Sequence, residues 1–278
     1  MIGTDLAHGA TRWGRNMVAR AVRARPDFLI LGTQKAGTTS LHAYLSTHPR
    51  LRPSTGPKEL HYFNIYYHRG LGWYLSHFPF RLAKGHQLTF EATPDYLWNP
   101  AVPARVRAEI GRPKLIVVLR DPAERAYSAW NMWHAFARRT DRDPRRADLR
   151  SFSQAIADEL ASPDNEAEKH FHYVAMGRYD EHLRRWLDCC APEDMLILEH
   201  REMAADLQNF LAKICGFLGV EPFEDTVVRA LGGTRHWVGP KRERTAEDVF
   251  ALDRLRAYYA PYDAALTRLL GRPLEWMN

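Results

Sequence analysis

Four apolar residues, Phe28 to Leu31, run straight into Gly32, a polar loop and a helical pattern, in the stretch FLILGTQKAGTTSL. A strand with no polar alternation is buried on both faces, as in a parallel sheet. The pattern TSLHAYLSTHP then brings Leu41, Tyr44 and Leu45 to one helical face before Pro49 ends it. A loop at such a junction points backbone N–H groups and the positive helix end at one spot, which suits an anion. Gly32 and Gly37 have the spacing of the phosphate loop G-x-x-x-x-G-K-[ST], yet the lysine, Lys35, lies between them instead of after them.

The rest of the chain repeats the strand–helix alternation. KLIVVLRDP, 114–122, predicts a second buried strand, and PAERAYSAWNMWHAFARR a helix with Pro122 at its first position. Residues 140–170 are charged and then amphipathic, and read as a surface insertion or lid. GRYDEHLRRWLDCC predicts a helix, MLILEHRE, 195–202, a third strand, LQNFLAKICGFLGV a further helix, and 246–270 a final one. The expected fold is α/β, with a P-loop-like, mostly parallel central sheet flanked by helices and ligands at the carboxyl ends of the strands. A basic arm over residues 1–26 precedes one domain at 27–278, with no linker-like tract between them.

Gln34, Lys35, Ala36 and Gly37, with the hydroxyls of Thr38, Thr39 and Ser40, make a candidate phosphate cradle. A nucleotide triphosphatase or kinase would also need Mg²⁺, held in part by a carboxylate at the end of the second strand. Arg120 stands there, followed by Asp121. Arg120 and Ser128, two helical turns on, offer a charged and a neutral donor to a second phosphate.

These segments together resemble the sulfotransferases that use 3′-phosphoadenosine 5′-phosphosulfate. TQKAGTTSL resembles their 5′-phosphosulfate loop, and VVLRDPAERAYSAW their 3′-phosphate segment. KELHYFN with GLGWYLSHFP, EATPDYL, GRYDEHLRRWL and LRAYYAPYDAALTRLLG extend the likeness from residue 27 to about 271, closest to the carbohydrate branch with its heparan sulfate enzymes and bacterial relatives. The resemblance implies in-line transfer of the sulfuryl group to a hydroxyl or amine of a small-molecule, glycolipid or carbohydrate acceptor. It implies adenosine 3′,5′-bisphosphate as product and no required metal. Lys35 would lie against the phosphate–sulfate bridge, and Glu59, in KELHYF, would be the general base. His61 is a second candidate base if the segment is extended. The alternatives are a P-loop kinase using ATP and Mg²⁺, or a binding protein that retains the loop without turnover.

One departure concerns a lysine that several members of that branch carry in the segment matching FEATPDYL, where this chain has Ala92. Either Lys58 or His61 supplies that charge, or the acceptor differs from heparan-type sugars. GGTRHWVGPKRERT carries Lys241, Arg242 and Arg244, which could reach the 3′-phosphate as a basic flap. Tyr66, Tyr67 and His68 are candidates for the acceptor side. The net charge of +6 favours an anionic ligand, but 39 basic residues spread among 33 acidic ones argue against nucleic acid. No run approaches the length of a membrane helix, no secretory signal precedes the domain, and three cysteines give no disulfide framework, so the expected compartment is the cytoplasm.

Overall fold

The structure, a computed structural model, describes residues 21–138, 143, 146–161, 171–233 and 242–277. The first half runs β1 (Phe28–Gly32), α1 (Thr38–Ser46), β2 (Leu51–Pro53), α2 (Leu71–Leu75), α3 (Arg81–Lys84), β3 (Leu88–Ala92) and α4 (Val102–Glu109). Then come β4 (Lys114–Leu119), α5 (Pro122–His134), α6 (Phe152–Ala161), α7 (Tyr179–Leu187), β5 (Met195–Glu199), α8 (His200–Ala205), α9 (Leu207–Leu218), α10 (Asp225–Gly232) and α11 (Ala246–Leu270). The strands form one sheet in the order β2-β3-β1-β4-β5, every pair parallel.

β1 sits at the centre because all five of its residues are buried. Successive side chains point to opposite faces, so Phe28 and Ile30 join Leu41, Leu45, Phe90 and the α9 residues Phe210, Leu211 and Ile214 on one side. Leu29 and Leu31 join Tyr62, Tyr74, Tyr96 and Trp186 on the other. Each such fully buried aliphatic or phenyl side chain contributes roughly 1.5–3 kcal/mol, which fixes the register. Phe28 pairs with Phe90 across the sheet, and their rings stack at 4.7 Å.

Helix ends follow local chemistry. Asp121 accepts from the amides of Ala123 and Glu124 to start α5, and a reciprocal Thr245–Asp248 capping box starts α11. Gly219 and Gly271 end α9 and α11 in the left-handed conformation.

Three sequence expectations need correction. The sheet has five strands, two of them, β2 and β3, unforeseen. The predicted strand at 195–202 stops at Glu199, and His200 begins α8. Part of 140–170 lies outside the described residues, but its amphipathic half is no lid. It forms α6, whose Phe152 and Ile156 lie fully buried with Trp130 and Tyr259 in a third core between α5 and α11.

Candidate active site

Parallel strands deliver their following loops to one end of the sheet, and β1 and β4 are neighbours there. The β1–α1 loop closes on itself through Ala36 N–H to Thr33 C=O at 3.1 Å and is tied to β4 through Thr33 N–H to Val118 C=O at 2.9 Å. Lys35 occupies a left-handed conformation, φ 70, which for a non-glycine residue costs on the order of 1–3 kcal/mol. Gly37, φ 82, stands at the amino end of α1, whose first turn has no acidic residue to oppose the helix dipole. A Cβ at Gly37 would lie 2.4 Å from Met203 Cε and 3.2 Å from His200 Cδ2, so α8, which follows β5, walls the loop. Thr38 is buried, Ser40 half-buried and Thr39 exposed; Gln34 is half-buried and Ala36 buried.

Lys35 Nζ lies 3.6 Å from Met132 Sδ on α5. Burial, the Arg120 charge and the Arg125 charge push its ammonium down to about 8, against the opposite pull of the Glu59 carboxylate. Arg120 donates to the Lys35 carbonyl at 2.8 Å, and its own carbonyl accepts from Tyr179 Oη at 2.8 Å. The end of β4 is thereby bonded to the loop, as the positions of Arg120 and Lys35 in sequence cannot reveal. Asp121, the acidic alternative, is engaged as the cap of α5. Ser128 lies half-buried on α5.

A cleft of about 350 Å³ opens beside Arg120, walled by His200, Arg201, Arg256 and Trp276. Its floor includes Glu199, only 1% exposed, which receives Arg272 and, at 2.9 Å, the Glu275 N–H. His200 is held neutral, its ring pushed down to about 4 by burial and the Arg120 charge. Of the proposed flap, Lys241 lies outside the described residues. Arg242 instead sits 5.0 Å over the Trp130 ring and 3.7 Å from Asp248, and Arg244 pairs with Glu124 at 2.6 Å.

Glu59 faces the loop from the segment between β2 and α2. Lys58 Nζ reaches one of its oxygens at 2.9 Å and His61 Nε2 the other at 3.3 Å. Partial burial raises this carboxyl, but the His61 and Lys58 bonds and charges outweigh it and hold it at about 2. The segment is not extended at His61. Its φ is 51, and the resulting turn is closed by Ile65 and Tyr66 N–H groups on its carbonyl. The ring still meets Glu59, because the turn swings Nδ1 toward Asn64, at 3.2 Å, and Asp95, at 4.0 Å. The net effect raises the imidazole: burial lowers it, and the Glu59 bond and the Asp95 charge prevail.

Beneath this cluster Glu91 is wholly buried, accepting from Tyr74 at 2.8 Å, Tyr96 at 3.0 Å and Thr93 at 2.9 Å. Ala92, where the branch lysine is missing, is 0% exposed and packs among Phe28, Ile30 and Phe90. Of the aromatic candidates, Tyr67 turns inward, its ring 5.5 Å from Tyr62 and its hydroxyl on Glu109, while Tyr66 and His68 stay exposed beside each other.

Sequence reasoning passed over Asp95, Arg125 and the α8 wall. Arg125 is 0% exposed, donates to the Tyr173 carbonyl, and has a buried Nε with no partner. Its signal was a cation on the apolar face of α5, three residues from Pro122 and four from Ala129.

The residues fit an anionic nucleotide. Three cations, Lys35, Arg120 and Arg125, act on one another at the carboxyl ends of β1 and β4, and burial and mutual repulsion depress both Lys35 and Arg120. Thr33 Oγ1 is buried beside them without a partner. Such a cluster is stabilised by a polyanion.

The family model for the Sulfotransferase domain matches residues 25–232. The chain is 31% identical over 269 residues to bifunctional heparan sulfate N-deacetylase/N-sulfotransferase 2 of Bos taurus, a match over 89% of this chain and 30% of that protein. It is 30% identical over 267 residues to heparan sulfate glucosamine 3-O-sulfotransferase 3B1 of Mus musculus, covering 90% of this chain and 65% of that one. The chain thus spans about a third to two-thirds of the length of these relatives. The solved sulfotransferase from Alicyclobacillus acidocaldarius superposes with a TM-score of 0.70 at 28% identity, over 92% of this chain and 100% of that one. With the strand–loop–helix cradle and the cation cluster in place, the match over most of its length makes this chain a member of the sulfotransferase domain family, whose donor is 3′-phosphoadenosine 5′-phosphosulfate.

Proposed function

We propose that the protein transfers a sulfuryl group from 3′-phosphoadenosine 5′-phosphosulfate to a hydroxyl or amine of a carbohydrate or small-molecule acceptor. One observation carries the reading: the Glu59 carboxylate, brought in from a separate segment, lies close enough to the half-buried Lys35 ammonium at the carboxyl end of β1 for its charge to favour the protonated lysine. The donor, when bound, supplies the sulfuryl group and leaves as adenosine 3′,5′-bisphosphate. The loop from Gln34 to Ser40 would hold its 5′ end, and Arg120 with Ser128 its 3′-phosphate. Lys35 keeps a proton at Nζ and offers positive charge where the leaving oxygen becomes anionic, an interaction of the kind worth about 3–4 kcal/mol.

Glu59 takes the acceptor proton at the oxygen released when the acceptor displaces Lys58 or His61. Until then its ion pairs keep it charged at physiological pH. The Glu59 bond and the Asp95 charge favour the protonated form of His61, and as a cation it would substitute for the charge missing at the buried Ala92. That assignment makes His61 a partner of the base and not the base. The kinase alternative is not favoured, since the carboxylate it needed, Asp121, is spent on the α5 cap.

Cys189, Cys190 and Cys215 are free thiols, and among the described residues no helix is long and apolar enough to cross a membrane. We place the protein in the cytoplasm on the thiols. The deciding experiment is transfer of radiolabelled sulfate from the donor to a panel of amino sugars, neutral sugars and phenols, with Glu59→Gln as control. Transfer in the wild type but not the variant is expected. ATP hydrolysis without sulfate transfer would overturn the reading.

A further inference from the structure

At the other end of the sheet, the segments that enter β1, β2 and β3 build a surface unrelated to the nucleotide. Residues 21–27, 49–53 and 77–89 together carry six arginines and lysines against one acid, Asp27. Asp27 is already occupied by Lys84 at 2.6 Å and by the Thr89 amide at 2.6 Å. The segments are knitted into one face: Arg23 pairs with Phe80 as an antiparallel bridge, Arg81 Nε donates to the Arg23 carbonyl at 3.1 Å, and Arg50 Nε donates to the His86 carbonyl at 3.1 Å.

From this basic face large apolar side chains project into solvent. Leu82 on the short helix α3 is 101% exposed, Phe80 51% and Val22 40%. The Arg23 guanidinium lies 4.0 Å over the Phe80 ring, so cation and apolar group are presented together. Single exposed hydrophobics are ordinary, but a cluster rimmed by charge of one sign marks an interaction surface. Cations alone would suit any polyanion. The fully exposed leucine gains nothing from a phosphate backbone, whereas in the headgroup region of a bilayer it leaves water while the arginines meet lipid phosphates. A second copy of the same face would bring like charges together.

We propose that this face docks the protein on an anionic lipid surface. Because it lies at the amino ends of parallel strands, docking leaves the Lys35 end of the sheet pointing away from the lipid, one strand length of about 17 Å further out. Surface binding and nucleotide binding are therefore separable.

The test is co-sedimentation of the full chain with vesicles of phosphatidylcholine alone or with one quarter phosphatidylglycerol, at about 0.1 M salt. Binding to the anionic vesicles only is expected. Both Phe80→Ser/Leu82→Ser and Arg50→Glu/Arg81→Glu should weaken it by about tenfold or more. Neither should change affinity for adenosine 3′,5′-bisphosphate or the melting temperature by more than a few degrees, which establishes that they fold. The proposal is overturned if the wild type ignores anionic vesicles, or if both variants bind them undiminished. It is equally overturned if the charge variant alone loses binding and the wild type binds duplex DNA as tightly, which would make the face a general polyanion site.

Discussion

Lys35 gives the sharpest quantitative handle on the nucleotide site. Its ammonium is depressed from 10.5 to about 8 by burial and by Arg120 and Arg125, a penalty that a bound polyanion relieves. If two phosphates restore the ordinary value, protonated Lys35 binds them up to ~300-fold more tightly than the neutral form. The sign follows from linkage. Above about pH 8 the free protein must take up a proton to bind, so affinity for adenosine 3′,5′-bisphosphate should be flat from pH 6.5 to 7.5 and then fall toward tenfold per pH unit. Calorimetry in buffers of different ionisation enthalpy should show close to zero proton uptake at Lys35 at pH 6.5 and about 0.9 at pH 9. Lys35→Arg keeps its charge and should abolish the slope even if it binds less tightly. The same depressed lysine predicts that the free protein gains stability as pH rises from about 8 toward 10.5, because the unfolded chain then binds the extra proton. A wild-type affinity constant within twofold from pH 7 to 9.5, or an equal slope in Lys35→Arg, would refute the electrostatic account.

Other outcomes follow from named contacts. Glu59→Gln should lower turnover about 10²-fold or more while leaving affinity for the bisphosphate within a few-fold, measured by single-turnover transfer and calorimetry. His61→Ala should lower turnover less than Glu59→Gln does; a larger loss with the fold intact would make His61 the base. Tyr96→Phe removes the donor to Glu91 and the acceptor of the buried Phe63 N–H, and should destabilise by about 1–3 kcal/mol in urea unfolding. Gly37→Ala should cost about 1–2 kcal/mol from its left-handed backbone and weaken nucleotide binding. Adding Met203→Ala should recover part of the loss, since Met203 Cε is the nearest atom to the new methyl.

What could be read in the sequence was what is long or periodic. β1, β4 and α11 announce themselves by unbroken apolar runs or helical spacing, and the loop after β1 by its glycines, lysine and hydroxyls. β2 has only three residues, and β3 holds Thr89 and Glu91, both 0% exposed, so its polar letters hide a central strand. Those groups are buried because Tyr74, Tyr96, Thr93 and Asp27 satisfy them, and of these Tyr74 and Asp27, distant in sequence, leave no local trace. Glu59 was found through family likeness, but its geometry depends on the left-handed turn at His61 and on Asp95, thirty-odd residues away, which no spacing rule supplies. Arg125 was invisible for the opposite reason: a fully buried arginine held by a backbone carbonyl violates the expectation that such groups stay at the surface.

The latch at Glu199 has a practical consequence for anyone producing the protein. Arg272 and the Glu275 amide neutralise a carboxylate that is 1% exposed, and Trp276 walls the cleft beside Arg120. Trimming residues 272 to 277 removes no group assigned to chemistry. It leaves a buried charge with the Glu202 amide but without its cation, at a cost of up to about 3–5 kcal/mol for a pair broken by removing one partner. Deletions within this segment should therefore depress nucleotide affinity and yield before they touch the acceptor side at all.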